Sequence, residues 1–395
     1  MRKKTHTGDL TGIGVERKPG IPAERAAPAP GGSPESSPLR RNISGTGVTS
    51  STLPELDEPE YGSYFVSAYP PFAHWRQAAL AGVKDVLDRP PARGVPWGLY
   101  VHIPFCVRRC QYCYYLAHDD RADLKDRYLD ALVGELASYS SRLLFSGRLP
   151  TFLYFGGGTP SSLSAAQIER LFAGLRAECS WGDVEEVTFE CAPQTVTVSK
   201  VDVLRGAGVN RVSLGVQQLD DRVLSANGRV HFVADVLRAF ETLRAGGFDV
   251  VNVDLMVGLL EETELSFMES LERVIELEPE SVTIYQLEIP SNTPLYRHLE
   301  NDATAARPPS WAVKRARLVR GFDLLADAGY TLRSAYTAVR DPERQPFVYQ
   351  DALYRGADLL GLGVSAFSYL GGTHFQNLAR IEPYMERLTH GHLPL

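Results

Sequence analysis

From residue 97 onward the apolar positions follow two alternating rhythms. Short runs rich in β-branched and aromatic residues predict six strands: "GLYVHIP" (98–104), "TFLYFGG" (151–157), "EEVTFEC" (185–191), "RVSLGVQ" (211–217), "VVNVDLMVG" (250–258) and "SVTIYQLEI" (281–289). The stretches between them carry helical spacing. Leu124, Tyr128, Ala131, Leu132 and Leu136 recur every three or four residues in 123–142, as do Leu265, Met268, Leu271, Val274 and Ile275 in 263–278. Nearly continuous apolar strands separated by helices predict βαβ units and a parallel sheet buried on both faces. Six units in a row suit a β/α barrel, open or closed, better than a short doubly wound sheet. The expected fold class is therefore α/β, a partial (β/α)6, TIM-like barrel.

The amino-terminal part lacks either rhythm. Of the first 55 residues, 27 are Gly, Pro, Ser or Thr and none is aromatic, too little apolar surface to offset the entropy of ordering. A disordered tail is expected over 1–57. Aromatic residues crowd "YGSYFVSAYPPFAHW" (61–75), where folded structure is expected to begin. The organisation expected beyond the tail is a segment packing on the barrel (58–96), the barrel (97–300) and a carboxyl-terminal α/β extension (301–395).

Composition narrows the function classes. A net charge of -7 and a pI near 5.8 give no basic surface for nucleic acid. Five cysteines in 395 residues do not make a secreted disulfide framework. No apolar run follows the basic amino terminus, and no run of about 18 apolar residues exists to span a membrane. A cytoplasmic protein without membrane or nucleic-acid partners is expected.

In a β/α barrel the chemistry gathers at the carboxyl ends of the strands. Here those ends carry Cys106, Cys110 and Cys113 in "CVRRCQYC", the turn "GGGTP" (156–160), Glu190, Gln217 with Gln218, and Asp254. Each has a structural alternative: glycine makes tight turns, and carboxylates cap loops. For the three cysteines, a structural zinc needs four ligands, and His102 or His118 would have to supply one. A four-cysteine iron–sulfur cluster is one ligand short as well. A [4Fe–4S] cluster held by three thiolates leaves its fourth iron open to a small molecule, and this suits an odd set best.

The spacing CxxxCxxC after the first strand, with Tyr112 before the last cysteine, resembles the radical S-adenosylmethionine superfamily. More narrowly, "LYVHIPFCVRRCQYC", "YFGGGTPS", "VTFECAP", "RVSLGVQQLDD", "NGRVH", "VNVDLMVGL" and "LGLGVSAFS" resemble the oxygen-independent coproporphyrinogen III oxidase family over about 60–395. The resemblance implies that Cys106, Cys110 and Cys113 ligate a [4Fe–4S] cluster. It implies one S-adenosylmethionine, or two, with the amino and carboxylate groups of the first on the open iron. Gly157, Gly158 and Thr159 would line its methionine end. Glu190, Gln217, Arg229 and Asp254 would contact ribose or methionine, and Tyr100 and Tyr112 would flank the cluster and adenine. The implied reaction passes one electron to the sulfonium and releases a 5′-deoxyadenosyl radical that takes hydrogen from a small organic substrate. The implied partner is an electron donor such as flavodoxin or ferredoxin.

The chain departs from the coproporphyrinogen-oxidising members at one place. They carry a fourth cysteine two residues after the third, where this chain has Tyr115. Conversely, "YFVSAYPPF" resembles the amino-terminal segment of the true oxidases, which the haem-chaperone branch generally lacks. Methyltransferases and cyclopropanases of natural-product pathways also belong to the family. The expectation is hydrogen abstraction from a non-porphyrinogen substrate, with methyl or methylene transfer as one outcome and coproporphyrinogen oxidation or haem chaperoning as the alternatives.

Overall fold

The computed structural model describes residues 75, 77–115, 117–118, 122–302 and 304–395. The expected tail and nearly all of the aromatic stretch before residue 75 lie outside the described residues. Six parallel strands follow in chain order: β1 (Trp97–Ile103), β2 (Phe152–Gly157), β3 (Glu186–Cys191), β4 (Arg211–Gln217), β5 (Val250–Val257) and β6 (Ser281–Gln286). The edge of β6 pairs antiparallel with β8 (Thr337–Val339), and β8 with β7 (Thr331–Leu332). On the other side β1 pairs in parallel with β9 (Asp358–Leu362), which the meander of β10 (Phe367–Leu370) and β11 (Thr373–Gln376) extends. Among the described residues the sheet runs from β11 to β7 without closing. The expected open barrel is present, with a seventh parallel strand added by the carboxyl-terminal extension.

The strands alternate more strictly than the sequence pattern suggested. Leu153, Phe155, Val187, Phe189, Val212, Leu214, Val251 and Val253 face the outer helices and form the main core. Phe155 stacks on Phe172 of the Ala165–Glu178 helix, with ring centres 4.5 Å apart. Burying each such side chain contributes about 1.5–3 kcal/mol. The opposite face of the same strands is buried but polar: Glu186, Thr188, Arg211, Ser213, Asn252, Ser281 and Thr283. The barrel therefore has a hydrogen-bonded interior instead of stacked aliphatic layers.

Residues 347–349 cover the amino ends of the central strands. The Arg211 guanidinium lies 4.2 Å from the Phe347 ring centre, and Tyr349 packs on Tyr154 at 4.5 Å. The buried Glu186 carboxylate accepts from the amides of Val348 and Tyr349, both at 3.1 Å. These contacts leave the carboxyl-end rim as the place for chemistry.

A second buried carboxyl ties the extension to the barrel wall. Glu135, in the Ala122–Ser140 helix, accepts from the Gly363 amide (2.7 Å), Asn377 Nδ2 (2.7 Å) and the Tyr384 hydroxyl (2.6 Å). Glu135→Ala leaves the Gly363 amide and the Tyr384 hydroxyl buried without an acceptor, while Asn377 Nδ2 keeps the Gly363 carbonyl at 2.8 Å, and should cost on the order of 3 kcal/mol in urea denaturation. Burial, the largest influence, raises the Glu135 carboxyl from its ordinary 4.5 to about 7. Because the folded state holds the proton more tightly, this group's contribution is full below about pH 4.5. It declines as the pH rises through about 7. Denaturation at pH 5 and pH 8 should show that decline in the wild type and a flatter profile in Glu135→Gln.

Candidate active site

The three cysteines lie on a loop that leaves β1 through Pro104 and is fastened at several points. Its base closes where the Cys106 amide donates to the His118 carbonyl (3.3 Å) and the His118 amide to the Pro104 carbonyl (2.7 Å). Inside the loop, the Arg109 guanidinium donates twice to the Cys113 carbonyl, at 3.1 and 2.7 Å. The Gln111 amide donates to the Asn227 carbonyl (3.4 Å), and the Gln111 carbonyl accepts from the Leu295 amide (2.8 Å). The loop is thus held by backbone groups and the Arg109 side chain, and all three thiols are outside any disulfide and half-buried.

Two polar groups approach these thiols. Thr159 Oγ1 donates to Cys106 Sγ at 3.4 Å, and Arg229 Nη1 donates to Cys110 Sγ at 3.2 Å. Burial pushes the Cys106 thiol up, against the lowering effect of Thr159. Cys113 is pushed up to about 11, by burial first and by the neighbouring Cys110 next. Burial thus favours the protonated form of Cys106 and Cys113 until a cation replaces the proton.

The "GGGT" turn lies beside the loop and excludes side chains by close approach. At Gly158, whose amide donates to the Ile103 carbonyl at 2.8 Å, a Cβ would stand 2.9 Å from the Phe105 carbonyl oxygen. Gly157 has φ +114°, and a Cβ there would stand 2.7 Å from the His102 ring. The Gly157 amide donates to Glu190 Oε2 at 3.2 Å, while Tyr154 donates to Oε1 at 2.8 Å. Burial raises the Glu190 carboxyl to about 7 and that of Asp254 to about 6. Asp254 accepts from Ser213 Oγ and Asn252 Nδ2, each at 2.8 Å.

At the end of β4 the ladder with β5 slips register between Gly215 and Gln217, and Gln217 takes φ +69°. This strained backbone lays the Gln217 amide nitrogen over Gly215, next to Arg229, whose Nη2 donates to the Gly215 carbonyl at 2.7 Å. Tyr100 stacks on Tyr154 at 5.9 Å, its hydroxyl 3.2 Å from His102 Nδ1. Tyr112 instead packs into a second apolar cluster with Val223, Leu259 and Leu287, which Cys110 borders.

Thr159, Gly157 with Glu190, and Gln217 with Arg229 thus meet the cysteine loop or one another through direct contacts. Among the described residues, no three His, Cys, Asp or Glu side chains converge as a single metal ion requires. A polynuclear cluster spreads its thiolates over separate irons, and three free thiols with a cationic donor beside them suit it. Arg229 Nε is buried with no partner, a donor left over for an anionic ligand. The sequence pattern had not indicated Tyr154, Arg211, Phe347 or Tyr349. For the first two, inward alternation along β2 and β4 was the available signal.

The model of the radical SAM superfamily matches residues 100–274. The oxygen-independent coproporphyrinogen III oxidase of Escherichia coli strain K12 is 32% identical over 347 residues, covering 84% of this chain and 72% of the relative. The haem chaperone HemW of Bacillus subtilis strain 168 is 28% identical over 299 residues, covering 75% of this chain and 76% of the relative. Among solved structures, coproporphyrinogen III oxidase (HemN) from Escherichia coli superposes with a TM-score of 0.71 at 29% identity, over 84% of this chain and 77% of that one. These relatives lend no support to the expected methyltransferase activity. No helix among the described residues is long and apolar enough to cross a membrane. The motif order, the open barrel and the extent of these matches agree: the chain belongs to the radical S-adenosylmethionine superfamily, in its coproporphyrinogen III oxidase-like family.

Proposed function

We propose that Cys106, Cys110 and Cys113 hold three irons of a [4Fe–4S] cluster, and that S-adenosylmethionine occupies the fourth. When bound and reduced, the cluster supplies the electron that splits S-adenosylmethionine, yielding a 5′-deoxyadenosyl radical able to take hydrogen from an organic molecule. The observation that carries this reading is the fastened loop of three free thiols, with Arg229 donating to Cys110 at 3.2 Å.

The chain's own groups have distinct tasks. The unpartnered Nε of Arg229 suits a carboxylate, as a charge-assisted donor. Gly157 and Gly158, with no side chain, let backbone approach the methionine end, and Thr159 stands between that end and Cys106. Glu190, Gln217 and Asp254 offer acceptors and an amide for ribose hydroxyls, and Tyr100 and Tyr112 bound the adenine side. A one-electron donor such as flavodoxin or ferredoxin supplies the reductant.

The substrate is a small organic molecule other than coproporphyrinogen. Tyr115, at the place of the oxidases' fourth cysteine, stacks on Tyr114 with ring centres 4.4 Å apart, so the rim there carries two phenols and no thiol. The second reading, coproporphyrinogen oxidation, draws on the 32% identity to the Escherichia coli oxidase. Anaerobic reconstitution followed by chromatography tests the shared chemistry. Dithionite and S-adenosylmethionine should yield 5′-deoxyadenosine and methionine in equal amounts, whereas a colourless zinc protein yielding neither would contradict it.

A further inference from the structure

His231, the last residue of "NGRVH", has no part in the chemistry proposed so far. The residue is 1% exposed, and each ring nitrogen meets one partner. Arg229 Nη2 lies 3.3 Å from Nδ1, and the Val216 carbonyl lies 3.1 Å from Nε2. A guanidinium can only donate and a carbonyl can only accept. Nδ1 therefore carries the lone pair and Nε2 the proton, and both contacts select the same neutral tautomer. Burial, then the charge of Arg229, hold the imidazole down to about pKa 3, so it stays neutral.

The acceptors are placed by the irregular end of β4. Gly215 and Val216 are consecutive, at the point where the strand slips register, and the Gln218 amide donates back to the Val216 carbonyl at 2.9 Å across the strained Gln217. Arg229 Nη2 is shared between the Gly215 carbonyl at 2.7 Å and His231 Nδ1 at 3.3 Å. Two acceptors on one nitrogen fix the plane of the guanidinium. That plane brings Nη1 to Cys110 Sγ, 3.2 Å away.

We infer that His231 is a positioning residue: its neutral ring holds the Arg229 guanidinium on Cys110 and so sets the reduction potential of the cluster bound there. The inference rests on the proposal that Cys110 ligates an iron–sulfur cluster. A cation donating to a ligand sulfur favours the more negative, reduced cluster and raises its potential. Without the acceptor, Arg229 loses its fixed plane, and the reduced cluster loses part of that stabilisation.

The test is a redox titration followed by electron paramagnetic resonance on reconstituted wild type, His231→Phe, His231→Gln, Arg229→Met and the Arg229→Met/His231→Phe double variant. His231→Phe should shift the reduction equilibrium about tenfold toward the oxidised cluster, which is about 59 mV for a one-electron couple. His231→Gln should restore it, because one amide offers both an acceptor for Arg229 and a donor for Val216. In the Arg229→Met background, His231→Phe should shift nothing further, since its effect runs through Arg229. On unreconstituted wild type, ¹⁵N resonances should report the Nε2–H tautomer, a readout that needs no variant to fold. A ring protonated on Nδ1, an unshifted potential in His231→Phe, or an equal shift in the Arg229→Met background overturns the inference. If the variants are unshifted while the wild type holds a cluster, only the role of His231 falls. A wild type that binds no cluster overturns the cluster proposal and this inference with it.

Discussion

Replacing Cys110 with alanine will leave a protein that stays colourless on anaerobic reconstitution and forms no detectable 5′-deoxyadenosine. Cys179→Ala will behave as wild type in both respects. The contrast follows from where the two thiols stand. Cys110 sits in the fastened loop, 3.2 Å from the Arg229 guanidinium and bordering the second apolar cluster. With three ligands supplied by one loop, removing one leaves two, too few to hold a cluster that already has an open iron. Cys179 caps the Ala165–Glu178 helix, packs partly against the main core, and its thiol donates to the Ser180 carbonyl at 3.7 Å. It behaves as a small hydrophobe, and its loss should cost little. Iron and sulfide analysis of both variants checks the assignment, and the reverse pattern would refute it.

Coproporphyrinogen III, supplied anaerobically with excess S-adenosylmethionine and reductant, will give no protoporphyrinogen above background, while 5′-deoxyadenosine still accumulates. Tyr115 is 45% exposed, and its hydroxyl lies 3.2 Å from that of Tyr114. The stacked pair presents a large apolar body with polar tips to whatever approaches the rim. A phenol does not offer the proton and redox chemistry of a thiol. Mass spectrometry of the porphyrin fraction decides the point, and efficient loss of carbon dioxide from coproporphyrinogen would restore the oxidase reading.

Much of the barrel was legible because each central strand is an isolated apolar run between helical stretches. The expected strand at 211–217 coincides with β4, and those at 151–157 and 185–191 each begin one residue before β2 and β3. The sixth strand was read too long. β6 ends at Gln286, and the Leu287 carbonyl accepts from Lys314 Nζ at 2.8 Å instead of extending the ladder. The expected helix at 263–278 forms over Glu264–Glu276, since Thr263 caps it by accepting from the Ser266 amide. β9 escaped because "DLLGL" is short and holds a glycine, so neither period is readable in it. The covering of the strands' amino ends by Phe347 and Tyr349 depends on contacts across more than a hundred residues, such as Arg211 with the Pro346 carbonyl, 135 positions apart. No local pattern encodes such a contact.

The site divides in the same way. The cysteine spacing is local and was read directly, as was the glycine turn. The pairing of Arg229 with Cys110, 119 positions apart, was not in the sequence pattern at all. Resemblance indicated that Arg229 matters but implied a contact with the ribose or methionine portion of S-adenosylmethionine. The structure adds its bond to the Cys110 sulfur, which depends on the register slip in β4.

The central claim is an iron–sulfur cluster with one iron left open for S-adenosylmethionine. Its most direct test is the electron paramagnetic resonance spectrum of the reduced, reconstituted protein, recorded before and after adding S-adenosylmethionine. A [4Fe–4S]⁺ signal whose line shape changes on addition is the predicted result, because the new ligand alters the open iron. A signal unchanged by saturating S-adenosylmethionine, or no cluster signal at all, would contradict the claim.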